Sequence, residues 1–190
     1  MAKWAAFPYD NTAFCYTAGT LTKNWARLHA GDAEPLPTEP AVLDAWLLFH
    51  AGDFQKAYET GLAAGGAGIT VANKAQAIYA NCVETKEQAK LEMFLAIADR
   101  AAAQQAAEPN NPNAYYWQAY AIGRYGQGIS VAKALAQGLG SKVKNTLETT
   151  IGLAPTHADA HLALGAFHAE VIDKVGRLLG RTQGDLKSVV

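Results

Sequence analysis

Clusters of proline, glycine and asparagine cut this chain into blocks of helix length, and that punctuation constrains its fold more than any other feature. Glu34 to Pro40 (EPLPTEP), Gly65 to Gly68, Pro109 to Pro112 (PNNP), Gly123 to Gly128 (GRYGQG), Gly138 to Gly140 and Pro155 each end one block and open another. Between these marks apolar residues recur at three- and four-residue spacing. Leu91, Phe94, Leu95, Ala98 and Ala101 form one stripe, Val143, Leu147 and Ile151 a second, and Leu164, Phe167, Val171, Val175 and Leu178 a third. Roughly a fifth of the residues are alanine, the strongest helix former, and no segment reads as a strand. The expected fold is all-α, with about nine helices near residues 20–30, 40–51, 53–64, 69–83, 85–107, 113–124, 128–138, 141–153 and 157–179.

The chain of 190 residues suits one domain and can bury a core without disulfides or a metal. Half of it is apolar and 17% is charged, which excludes an intrinsically disordered chain. A formal net charge of −1 argues against a generic nucleic-acid binder, whose footprint is a strongly basic face. Cys15 and Cys82 stand far apart and form no ligand or redox motif, so no cofactor is expected from them. No run of about 18 apolar residues is present, and no membrane insertion is expected. Met1 to Thr20 holds one lysine, no apolar core segment and no small-residue cleavage site, unlike a secretory signal. Phe14 precedes Cys15 where a lipoprotein signal would have a small residue. The expected location is cytoplasmic.

Part of the sequence repeats itself. Glu108 to Ala121 (EPNNPNAYYWQAYA) aligns without gaps on Ala154 to Phe167 (APTHADAHLALGAF), placing Ala114 opposite Ala160. Both copies read as a helix end, a proline, a short polar turn and a new helix. The second copy carries His161-x2-Leu164-Gly165-x2-His168, with histidines in the two aromatic positions of the tetratricopeptide pattern. The first carries Tyr115-x2-Gln118-Ala119-x2-Ile122, and a looser copy runs Ala41-x2-Asp44-Ala45-x2-Leu48. Small residues at the Leu-Gly position let two helices of a hairpin approach closely. Pro109 and Pro155 lie 46 residues apart, so about twelve residues are inserted relative to a 34-residue period.

On these motifs the chain resembles tetratricopeptide-like helical-repeat proteins. Through Tyr115 to Gly128 (YYWQAYAIGRYGQG) and His157 to Gly176 (HADAHLALGAFHAEVIDKVG) it is similar to uncharacterised bacterial proteins of that kind. It is more distantly similar to the T component of TRAP-type solute transporters, an exported lipoprotein that partners a solute-binding protein. The resemblance implies an irregular α-solenoid of antiparallel helix pairs, acting as a scaffold without enzymatic activity. One domain over 1–190 is expected. It divides into an N-terminal extension and first helix (1–37), degenerate helix pairs (38–108), a repeat with an insertion (109–154), and the last repeat helix with a tail (155–190).

Charge singles out one window for binding. From Pro109 to Leu147 there is no Asp or Glu, while Arg124, Lys133, Lys142 and Lys144 give it a charge of +4. Tyr115, Tyr116, Trp117, Tyr120 and Tyr125 are interleaved. Aromatic rings with cations suit an acidic peptide, a terminal carboxylate or a small anion. The candidate contact residues on a concave face are Tyr115, Tyr116, Tyr120, Arg124 and Lys133. The bland alternative makes the tyrosines repeat core and the lysines a solvated face. The expected partner is thus a protein or peptide, with a small ligand held near Gly123 to Gly128 as the alternative.

Other features carry less chemistry. Gly123, Gly126 and Gly128 match neither phosphate-binding glycine pattern. His157, His161 and His168 fall roughly on one helix face and are the weak candidates for a metal, but packing roles in the repeat suit them better. His29 and His50 suggest nothing, and no Ser, Cys or Thr nucleophile sits in a recognisable context. The apolar stripe on the helix over 157–179 lacks a second helix to cover it. It is expected either to mediate homodimerisation or to mark a shortened version of a longer array.

Overall fold

The computed structural model describes residues 3–186, and the side chains of residues 3–173. Among the described residues there are nine α-helices and no strand. They are α1 (Ala18–Leu28), α2 (Pro40–His50), α3 (Phe54–Ala64), α4 (Gly68–Cys82), α5 (Glu87–Ala107), α6 (Pro112–Gln127), α7 (Val131–Ala136), α8 (Leu139–Leu153) and α9 (Ala158–Leu186). The all-α class and the helix count are those read from the sequence.

The boundaries follow local chemistry. Thr17 opens α1 with a capping box closed by Thr20, and prolines occupy the first turns of α2 and α6, where a missing N–H costs nothing. One expected break fails before α7 and one holds after it. Gly123 and Gly126 do not break α6, which continues to Gln127 because Ile122 and Tyr125 are both buried and hold the turn. Gly138 takes a left-handed backbone, φ 64°, which stops α7 after six residues and starts α8 at Leu139.

The repeated motif is repeated in three dimensions. Asn111 caps α6, its side chain accepting from the Asn113 and Ala114 amides. The aligned residue before α9 is His157, whose Nδ1 accepts from the Ala160 amide at 3.1 Å. Ala114 and Ala160 are both fully buried.

Each helix from α1 to α6 packs on its neighbours in sequence, α6 on α8, and α8 on α9; α2, α4, α6 and α8 also touch in succession to form one row. Alanines make that row tight. Ala72, Ala75, Ala77 and Ala80 of α4 are solvent-free, and a Cβ on Gly61 of α3 would lie 2.5 Å from the Gly68 carbonyl. The main core joins α4, α5, α6 and α8 around Phe94, Ile97, Trp117 and Leu147. A second centres on Leu21, Trp25 and Trp46 of α1 and α2. Among the described residues no helix is long and apolar enough to cross a membrane.

Candidate functional site

Two places concentrate functional side chains. The first is a groove of about 470 Å³ between α6, α8 and α9. Tyr116, Tyr120 and Arg124 reach it from one face of α6, since these positions are four residues apart on the helix. Leu147 forms part of its floor, and Asp159, Leu162, Phe167 and Glu170 of α9 form the far wall. Burial, reinforced by the Asp159 charge, pushes the Tyr116 phenol well above its ordinary range. Tyr120 is also raised by burial, against the opposing pull of Arg124. Both stay neutral hydrogen-bonding phenols at physiological pH. The Arg124 guanidinium lies over the Tyr120 ring, 5.4 Å from its centroid, and donates to Gln127 Oε1 at 3.1 Å. Gln127 in turn donates to Glu170 across the groove.

A smaller cavity of about 130 Å³ adjoins the groove beneath α7, and the two share Gly123, Gln127, Val143, Phe167 and Glu170. Its lining is almost wholly apolar, with Val131 and Leu135 of α7 forming one side.

The structure thus brings together three of the five residues expected at the concave face. Tyr115 points elsewhere, its hydroxyl donating to the Pro109 carbonyl in the α5–α6 turn. Lys133 is exposed on α7 and does not line the groove. The three histidines expected on one face of the last helix separate. His157 is buried and its two ring nitrogens are both hydrogen-bonded. His161 and His168 are exposed instead of filling packing positions. Among the described residues no three His, Cys, Asp or Glu side chains are gathered as metal ligands. Val175 and Leu178, expected in the stripe on this helix, lie outside the described side chains.

The second place is a buried polar network that the sequence did not announce. The loop after α1 carries His29, Asp32 and Glu34, all buried. His29 Nδ1 lies 3.0 Å from Asp32 Oδ1, and Lys74 of α4 pairs with the other oxygen of the same carboxylate. With the Nδ1 proton directed at a carboxylate, His29 Nε2 is an acceptor, and it meets His50 Nε2 at 3.3 Å. His29 and His50 therefore form a connected pair, contrary to the expectation that they are unrelated. Their only sequence signal was the crowding of three titratable residues into His29 to Glu34.

Asn113, the second residue of α6, ties the same loop to two distant helices. Its amide nitrogen donates to the Asp32 carbonyl at 2.9 Å and to Glu34 Oε2 at 2.6 Å. Its oxygen accepts from His157 Nε2 at 3.0 Å. The Asp159 amide of α9 donates to the Gly31 carbonyl.

Electrostatics follow from this burial. Desolvation raises Asp32, but the His29 hydrogen bond and the Lys74 charge outweigh it and hold the carboxyl far below its ordinary value. For Glu34 the balance reverses: burial and the neighbouring Asp32 charge outweigh the Asn113 hydrogen bond and the Lys74 charge and push it up to about 8. His50 is pushed down to about 4 by burial and by the charges of His29 and Lys74. Burial likewise lowers His29 and His157. None of the residues of this network except Asp159 lines either cavity, so the network holds the fold while the groove faces outward. No family model, curated protein or solved structure matches the chain.

Proposed function

We propose that this protein is a non-catalytic interaction scaffold, a tetratricopeptide-like row of helix pairs that holds a peptide or protein partner in the groove between α6 and α9. The observation that carries this reading is the Tyr116, Tyr120 and Arg124 face. It offers two neutral phenols and a guanidinium already stacked on one of them, opposite exposed Leu162. Aromatic rings with an arginine are the side chains that contribute most to binding at protein interfaces. The row formed by α2, α4, α6 and α8 supports a solenoid reading of the whole chain. The adjoining cavity alone is smaller than the pockets of about 300–1,000 Å³ that enclose small ligands, and together with the groove it offers a longer surface on which a peptide can lie.

The test is selection from a random 12-residue peptide library on the immobilised protein, followed by fluorescence anisotropy of the recovered peptides. Arg124 is exposed and outside the core, so Arg124→Glu leaves the fold intact. The expected result is recovery of binding peptides that lose about tenfold or more in affinity for that variant. Failure to recover any, or equal affinity for both proteins, overturns the reading.

A further inference from the structure

We infer that the cavity beneath α7 is an anchor pocket, and that it receives one large apolar side chain of a peptide whose flanking residues are acidic. This rests on the scaffold reading above and adds the chemistry of the partner.

Size comes first. At about 130 Å³ the cavity is too small for a cofactor and has room for a single bulky side chain. It opens through the shared wall at Gly123 and Phe167 into the larger groove, which can hold the chain on one side of the anchor.

The glycines around it point the same way. Gly123 inside α6, Gly126 in its last turn and Gly140 in the first turn of α8 line the cavity. A glycine inside a helix is less stable than an alanine, and at one helix contact in this chain a close approach explains it. A Cβ on Gly61 or Gly68 would meet backbone of the facing helix at 2.5 Å. A Cβ on Gly123 would meet nothing within 4 Å. At Gly126 and Gly140 it would make only ordinary contact, at 3.6 and 3.8 Å. None of these three has a positive φ. Neither helix packing nor backbone geometry requires glycine at these positions, which is true also of Gly19, Gly152 and Gly165; what sets Gly123, Gly126 and Gly140 apart is that their bare faces line the cavity and leave it open to an occupant.

The surroundings select the occupant. Leu135, 70% exposed, and the exposed Val131 and Val171 all line the cavity. Arg124, Lys133 and Lys142 stand next to lining residues, and among the described residues none has a carboxylate within ion-pair distance. The acids nearby, Asp159 of the groove and Glu170, which lines both the groove and the cavity, belong to α9 on the opposite wall, and Glu170 accepts from Gln127. An apolar anchor with carboxylates toward α6, α7 and α8 therefore meets complementary surface on each side.

The experiment uses the peptides recovered from the library, with decanoate as a separate probe followed by NMR. Gly123→Leu fills the cavity from a position with free space. Leu135→Ser alters the exposed rim without touching α6, and Lys133→Gln with Lys142→Gln removes charge. The inference expects recovered peptides to share a Leu, Ile, Phe or Trp flanked by at least two Asp or Glu. Their affinity should fall about tenfold with Gly123→Leu and also fall with Leu135→Ser. It should fall roughly threefold with the lysine pair, together with the salt dependence. Peptides that lose affinity for Arg124→Glu but bind both cavity variants as they bind the parent overturn the anchor pocket and leave the scaffold standing. Recovery of no peptide overturns both. Decanoate that perturbs the cavity resonances and is not displaced by the peptides replaces the peptide anchor with an acyl chain and overturns the inference.

Discussion

His29 Nε2 and His50 Nε2 face each other at 3.3 Å, so only one of the two atoms can carry a proton. His29 directs its single ring proton, on Nδ1, to Asp32, which leaves His50 as the donor. A further proton on His29 Nε2 would set two N–H groups against each other, and one on His50 Nδ1 would add a positive charge near the Lys74 ammonium.

Acid should therefore loosen the N-terminal half of the protein. The folded value of His50 is about 4 against an ordinary 6.5, and His29 and His157 are lowered too. Between those pH values the unfolded chain binds more protons, so the stabilisation is complete above 6.5 and is lost as pH falls toward 4. For partly solvated His50 the loss is about 1–2 kcal/mol. Urea midpoints measured from pH 7 to 4.5 should fall, and should fall less in His50→Gln.

Glu34 works in the other direction. Its folded value of about 8 lies above the ordinary 4.5, so its stabilisation is complete below 4.5 and is lost as pH rises to 8. Glu34→Gln keeps a neutral partner for Asn113 and should be more stable than the parent at pH 8.5. The difference in urea midpoint between the two proteins should shrink steadily toward pH 4.5. A constant difference across that range contradicts the assignment.

Removing the Asp32 charge should be costly. Asp32→Asn leaves the Lys74 ammonium, which is 15% exposed, without its counter-charge. The expected loss is about 3–5 kcal/mol in chemical denaturation. Adding Lys74→Met should recover much of it, and a double-mutant cycle should give a coupling above roughly 1 kcal/mol.

One substitution should have opposite signs at two glycines. Gly61→Ala forces a Cβ to 2.5 Å from the Gly68 carbonyl, where both sides are backbone, and should destabilise by about 1–3 kcal/mol. Gly123→Ala enters open space in α6 and should stabilise by about 0.5–1 kcal/mol. Thermal melting of the two variants reads both signs.

The site was only partly legible. Tyr116, Tyr120 and Arg124 were visible because four-residue spacing on a helix puts them on one face whatever the rest of the chain does. Tyr115 and Lys133 share their composition but not their direction. One turns to the α5–α6 turn and the other lies on a helix that Gly138 cuts short. His161 and His168 matched the repeat spacing and are exposed, on a face of α9 that does not line the groove.

The sequence by itself determined the helices. Proline, glycine and capping residues act over a few bonds, and alanine with three- and four-residue apolar spacing acts over one helix, so the all-α class and most boundaries follow without reference to the fold. It also determined the repeated turn before α6 and α9, since Asn111 and His157 cap through their own neighbours. Only the tertiary structure decided that His29 meets His50 and that Asn113 joins Asp32, Glu34 and His157. Those hydrogen bonds close loops of up to 81 residues. They exist because helix packing brings the α1–α2 loop against the starts of α6 and α9, where buried polar groups must find partners in each other.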